Sequence, residues 1–164
     1  MGQEFIDIIS LHQGIIHKVC GMYLDHEEDR KDLFQEILIQ LWKAYPSFQH
    51  KSKITTWMYR VALNTAISHF RKQKRKPKND ILSENIQQIA DVPYNYELEE
   101  KLKILNQAIT QLSKIEKAIV MLYLEEHSTE EIGEIVGITA NYVRVKMNRI
   151  KTKLKKMLNP SMPS

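Results

Sequence analysis

Cysteine is almost absent. Cys20 is the only one among 164 residues, which excludes an intramolecular disulfide and a zinc site built on several cysteines. Glycine and proline number five each, too few for the many tight turns of an all-β protein. No apolar run approaches the roughly 20 residues that span a bilayer, so membrane insertion is not expected. The opening residues, MGQEFIDIIS, lack the basic start and apolar stretch of a signal peptide. Disorder is excluded too, because 43% of the residues are hydrophobic and they recur at regular spacing. The expectation is a soluble cytoplasmic protein of one domain or two small ones.

The formal net charge of +4 conceals an uneven distribution. Residues 1–70 are nearly neutral, with seven basic and eight acidic side chains. Residues 71–78 hold six bases and no acid, residues 79–100 six acids and no base, and residues 138–164 seven bases and no acid. One lysine-rich run is ordinarily a solvated face. Two acid-free blocks, each ending a helical pattern, point to a polyanionic partner.

What fills the chain is helical periodicity. Phe5, Ile8, Ile9, His12, Ile15, Ile16 and Val19 mark a first helix. Leu33, Phe34, Ile37, Leu38, Leu41 and Trp42 mark a second, stopping before Pro46. A third starts near Thr55 or Thr56, follows Trp57, Met58, Val61, Ala62, Thr65, Ala66 and His69, and is broken by Pro77. Residues 78–97 read as a linker with room for a short helix around Leu82–Ile89. Residues 98–158 should contain four helices joined by very short turns. Ser113-Lys-Ile-Glu116 and Ser128-Thr-Glu-Glu131 both have the capping-box form, Gly137 suits a left-handed helix end, and Thr139 suits the next N-cap. The fold class is therefore all-α: two small helical domains joined by a flexible linker.

The C-terminal domain reads as a helix-turn-helix: Ser128–Val136, the turn Gly137-Ile138-Thr139, then a longer helix. Val143, Met147 and Ile150 share one face and can meet Ile132, Ile135 and Val136. Asn141, Tyr142, Arg144, Val145, Lys146, Asn148 and Arg149 are left on the outer side or flanks. A helix fits the major groove, where Arg and Asn pair with base edges and flanking cations neutralise phosphates.

In the first half, Asp25, Glu27, Glu28, Asp29, Asp32 and Glu36 cluster at the start of the second helix. Acids there favour the positive helix end; Asp25, Glu28 or Asp29, Asp32 and Glu36 also make one acidic stripe that suits docking of a basic partner. The spacing fits no metal or hydrolase motif, and His12 and His17 do not share a helix face. The third helix interleaves Trp57, Tyr59, His69 and Phe70 with Arg60, Arg71 and Lys72. Trp57 is expected in the core, although aromatics beside cations also capture unstacked bases of single-stranded DNA. Cys20 is expected to be a small buried residue.

Several of these stretches, in order, resemble one family. Asp29-Arg-Lys-Asp-Leu-Phe-Gln-Glu36 followed by Leu41-Trp42 resembles region two of bacterial sigma factors, and Phe48 with Thr56–Ala66 is similar to the segment after it. Leu112 through Ile150 resembles region four. With only these two regions joined by a short linker, the chain is similar to extracytoplasmic-function sigma factors. The resemblance implies residues 1–77 as region two, 78–97 as linker and 98–164 as region four.

It also implies a role for each surface. Asp29, Asp32, Leu33, Gln35 and Glu36 would bind the β′ clamp coiled coil of core RNA polymerase. Phe48, Lys51, Lys53, Trp57, Arg60, Asn64 and Arg71 would face the minus-ten element, the loop Ser47–Ile54 capturing a flipped base. Thr139, Asn141, Tyr142, Arg144, Val145, Lys146, Asn148 and Arg149 would meet the minus-35 element, and an apolar face of region four the β flap. Val145 stands where many members have Ser, Asn148 where an aromatic or His is commoner, and Gln49–Lys53 where the loop is acidic or glycine-rich. Base preferences are therefore not transferred at those places. No cofactor or metal is implied; an anti-sigma factor is a further partner the resemblance accommodates.

Two other readings make different predictions. A stand-alone helix-turn-helix regulator would bind a palindrome tightly without polymerase. A helical nuclease or phosphohydrolase built on the acidic cluster would lose a metal-dependent activity in Asp32→Ala.

Overall fold

A computed structural model describes residues 2–73 and 96–159, with side chains of the first stretch described as far as His69. The expected short helix at Leu82–Ile89, the basic block at 71–78 and most of the linker lie outside the described side chains. The chain divides between its third and fourth helices into two compact units. Among the described residues there is no strand, and no helix is long and apolar enough to cross a membrane.

The first unit packs α1 (Gly2–Tyr23), α2 (Glu27–Ala44) and α3 (Ile54–Gln73), each against the other two. Leu33, Ile37 and Leu41 recur every four residues, so they form one stripe of α2, and all three are fully buried. Ile16 and Val19 of α1 and Met58, Ala62 and Ala66 of α3 complete this core. Each large side chain so buried contributes roughly 1.5–3 kcal/mol. The α1–α2 turn is pinned by Arg30, whose Nε donates to the Leu24 carbonyl at 2.7 Å. After Ala44 the chain makes a 3₁₀ turn, Tyr45–Ser47, with Pro46 near its start.

Two details of this unit differ from the periodic reading. The first helix is kinked: His12 has φ −115° and ψ 16°, and Ile8, Ile9 and His12 are only half-buried. Trp42, counted among the apolar positions of α2, is 50% exposed. It leans edge-on against Phe5, ring centres 5.1 Å apart, instead of entering the core.

The second unit holds α4 (Tyr96–Thr110), α5 (Lys114–Leu124), α6 (Thr129–Val136) and α7 (Ala140–Leu158). The expected four helices and short turns are there. Ser113 and Glu116 form a complete capping box, each side chain bonded to the other's backbone N–H at 3.1 Å. At Ser128 only half of one forms. Its hydroxyl accepts from the Glu131 N–H, but the Glu131 carboxylate is taken by His127 Nδ1 at 2.9 Å. A neighbouring imidazole outcompetes the backbone N–H for that carboxylate.

Candidate polymerase and nucleic-acid interfaces

Three surfaces carry the candidate residues. On α2, Asp32 and Gln35 are exposed, whereas Asp29 and Glu36 are half-buried. Glu36 accepts from Gln40 Nε2, 3.2 Å away, which orients its carboxylate along the helix. Glu27 pairs with Lys31 at 3.4 Å, an exposed contact of little energetic weight. Leu33, expected on the docking face, is 0% exposed. Its side chain belongs to the core stripe and presents nothing to a partner, so that expectation is corrected: Leu33 fixes the helix from within.

The second surface lies where the loop after α2 returns to α3. Phe48 stacks on Trp57 with centroids 5.0 Å apart and on His50 at 4.6 Å. Trp57 in turn meets Tyr45 at 6.2 Å, and Tyr45 meets Phe5 at 5.4 Å. An aromatic run thus ties the loop to α1 and α2. Trp57 is half-buried, not enclosed in the core. His50 takes a left-handed backbone, φ 55°, at the loop's turn. The loop feeds directly into α3, since the Trp57 N–H bonds the Lys53 carbonyl at 3.1 Å. Lys51, Lys53, Arg60 and Asn64 are exposed around it; the side chain of Arg71 lies outside the described residues. Asn64 also lines a polar groove of about 500 Å³ with Glu36, Gln40, Val61, Thr65 and Ser68, so one cleft brings together members of the first two sets.

The third surface is α7. Thr139 caps it, its hydroxyl accepting from the Tyr142 N–H at 3.1 Å. Gly137 before it has φ 87°, a conformation glycine adopts without strain. Val143, Met147 and Ile150 are buried with Ile132 and Ile135 of α6. Asn141, Tyr142, Arg144, Asn148 and Arg149 are exposed, while Val145 and Lys146 are half-buried. Lys146 lies over the Tyr142 ring, 5.3 Å from its centre, which turns its charge toward the start of the helix. Beyond the expected set, Thr152, Lys153 and Lys156 line a groove with Asn148 and Arg149. The spacing 149, 153, 156 could have revealed this continuation.

Nothing among the described residues gathers three His, Cys, Asp or Glu side chains in a metal-holding arrangement. Burial pushes the Cys20 thiol up to about 11, with the Arg30 charge opposing the shift.

The family model of sigma-70 region 2 matches residues 8–76, and that of sigma-70 region 4 matches residues 102–154. The ECF RNA polymerase sigma factor SigW of Bacillus subtilis (strain 168) is 30% identical over 165 residues, spanning 94% of this chain and 88% of that protein. The ECF RNA polymerase sigma-E factor of Haemophilus influenzae is also 30% identical, over 94% of this chain and 87% of its own. Among solved structures, CnrH in complex with the cytosolic domain of CnrY superposes with a TM-score of 0.68 at 15% identity, covering 99% and 92% of the two chains. The sigma factor RpoE in complex with the anti-sigma factor NepR, from Bartonella quintana, gives 0.65 at 20% identity over 98% of each. At those identities the superpositions speak to fold alone. A region-2 match across the N-terminal unit sets aside both the stand-alone regulator and the hydrolase. The chain belongs to the sigma-70 family: it is an RNA polymerase sigma factor of the extracytoplasmic-function group, an initiation factor and not an enzyme.

Proposed function

We propose a division of labour among the three surfaces. Asp29, Asp32, Gln35 and Glu36 of α2 dock on the clamp coiled coil of the polymerase β′ subunit. Phe48, Trp57 and the cations Lys51, Lys53 and Arg60, with Asn64 and Arg71, hold the opened minus-ten strand. The exposed face of α7, from Thr139 to Arg149, enters the major groove at minus 35, and an apolar face of the same unit meets the β flap. Residues 1–77 and 98–164 act as the two modules and 78–97 as their tether. The site of action is the cytoplasm, and an anti-sigma factor is a natural antagonist; the RpoE structure of similar fold is a complex with an anti-sigma factor.

The observation that carries this reading is the chemical separation of the surfaces: acidic on α2, aromatic and cationic at the loop and α3, acid-free on α7. Each DNA reader alone binds weakly, and joining both to polymerase raises the effective concentration of the second once the first engages. Opening a few base pairs costs a few kcal/mol, partly offset by stacking an extruded base on an aromatic face. Adding the purified protein to core polymerase tests the scheme. Promoter-dependent transcription is expected from a cognate promoter, with Asp32→Ala losing polymerase binding; promoter-specific initiation that survives Asp32→Ala, Gln35→Ala and Glu36→Ala together would remove α2 from the docking role.

A further inference from the structure

One candidate minus-35 reader is held from outside its own helix. Arg144 Nη2 of α7 lies 3.1 Å from Glu130 Oε1 of α6. The other carboxylate oxygen of Glu130, Oε2, accepts from Thr129 Oγ1, also at 3.1 Å. Both oxygens of the carboxylate therefore have a hydrogen-bond partner. It stays ionised as well: its own backbone N–H and the Thr129 hydroxyl hold it below the usual carboxylate range, with Arg144 adding to the effect and partial desolvation opposing it.

The pair does little for stability. Arg144 and Glu130 are 54% and 68% exposed, and pairs so exposed contribute little. A carboxylate near a phosphate backbone is also unfavourable for general DNA affinity, and the first helix of a helix-turn-helix crosses that backbone. An ion pair that adds little to the fold and nothing to general DNA affinity calls for a different role. Arginine has many rotamers, and an unrestrained one beside DNA settles on any phosphate within reach. Guanidinium has five N–H donors. The bond to Glu130 uses one corner and leaves an edge able to pair with guanine O6 and N7.

We propose that Glu130 is a positioning residue for promoter readout, holding Arg144 toward one base edge of the minus-35 element and away from the phosphates. This rests on the assignment of α7 to the minus-35 element made above.

The test is a set of promoters, each carrying one substitution in the minus-35 element, bound by holoenzyme reconstituted from core polymerase and the full chain. Wild-type protein should prefer one base pair at the Arg144 position by roughly tenfold or more, and Arg144→Ala should erase that preference. Glu130→Ala should lower the ratio to roughly twofold, chiefly by raising affinity for mismatched promoters, with preferences elsewhere intact. Glu130→Gln keeps an oxygen for Arg144 without the charge, so it should retain an intermediate ratio. The double variant should match Arg144→Ala. The proposal is overturned if Glu130→Ala leaves the ratio unchanged, or if it weakens every promoter equally, as a structural role would. It also falls if Arg144→Ala itself weakens all promoters uniformly, which would make Arg144 a phosphate contact. In that last case Arg149→Ala and Asn148→Ala still judge whether α7 reads minus 35.

Discussion

At the scale of single residues, two glycines of the helix-turn-helix show different demands. Gly137 has φ 87° and open space where a side chain would go, so only its backbone conformation resists substitution. Gly137→Ala should cost about 1–2 kcal/mol, and Gly137→Asn less, because Asn tolerates the left-handed region. Gly133 lies within α6, and a Cβ there would sit 2.6 Å from the Ile138 carbonyl oxygen. The turn cannot back away without strain, because the Ile138 N–H is bonded to the Gly133 carbonyl at 3.0 Å. Overpacking of roughly 1–3 kcal/mol should outweigh the helix propensity gained in Gly133→Ala. Urea unfolding of the three variants gives the order directly; Gly133→Ala as stable as wild type would mean the turn relaxes freely. Gly137 was legible in the sequence because a helix end announces itself locally. Gly133 was not, since its constraint comes from a carbonyl five residues away that folds back over it. Cys20 followed the expectation of a buried small residue, at 2% exposure. With its thiol pushed up to about 11 by burial, it should resist iodoacetamide at neutral pH in the native protein and react promptly in urea.

At the scale of elements, apolar spacing marked the three α-helices of the first unit and capping signals the four of the second, and departures arose where side chains had competing partners. The two Ser-x-x-Glu motifs read alike, yet only Ser113–Glu116 closes into a full box. His127, immediately before the second motif, diverts Glu131. Partner competition of this kind depends on turn geometry that spacing alone does not contain, as with Trp57, which was expected in the core and is half-buried in a stack with Phe48 and Tyr45. Glu116 yields a pH prediction. Desolvation tends to raise its pKa, but the Ser113 N–H and hydroxyl, with Lys153 and Lys146, outweigh that and leave it lowered from 4.5. A carboxylate with a depressed folded pKa contributes stability above its unfolded value, and that contribution is lost as pH falls through the folded one. Glu116→Gln preserves the hydrogen bond to Ser113 and removes the charge. The variant should be less stable than wild type at pH 7, with the gap closing once the pH drops below about 4.5. A constant gap between pH 7 and pH 3, measured by denaturant unfolding, would assign the lowered pKa no role in the fold.

At the scale of the whole molecule, a net charge of +4 averages surfaces of opposite sign. The acids of α2 offset the cations around the loop, while α7 itself carries no acid and meets carboxylates only from its neighbours, Glu130 at Arg144 and Glu116 at Lys153. A tethered pair of readers needs each module to hold its shape while the other engages or releases, so each should be stable on its own core. The cores are distinct: Leu33, Ile37, Leu41 and Met58 in the first unit, Ile119, Leu122, Ile132 and Ile150 in the second. The sequence supplies a built-in probe, since both tryptophans, Trp42 and Trp57, belong to the first unit. Fluorescence therefore follows the first unit alone, whereas helical ellipticity sums both. If the units unfold independently, the two signals will trace non-coincident denaturation curves. Gly133→Ala then sharpens the test, because its clash lies wholly within the second unit. It should lower the midpoint of the ellipticity component and leave the fluorescence midpoint where it was. Coincident curves in the wild type, moving together in the variant, would mean one cooperative body, and the two readers could not then engage the promoter as separately folded modules.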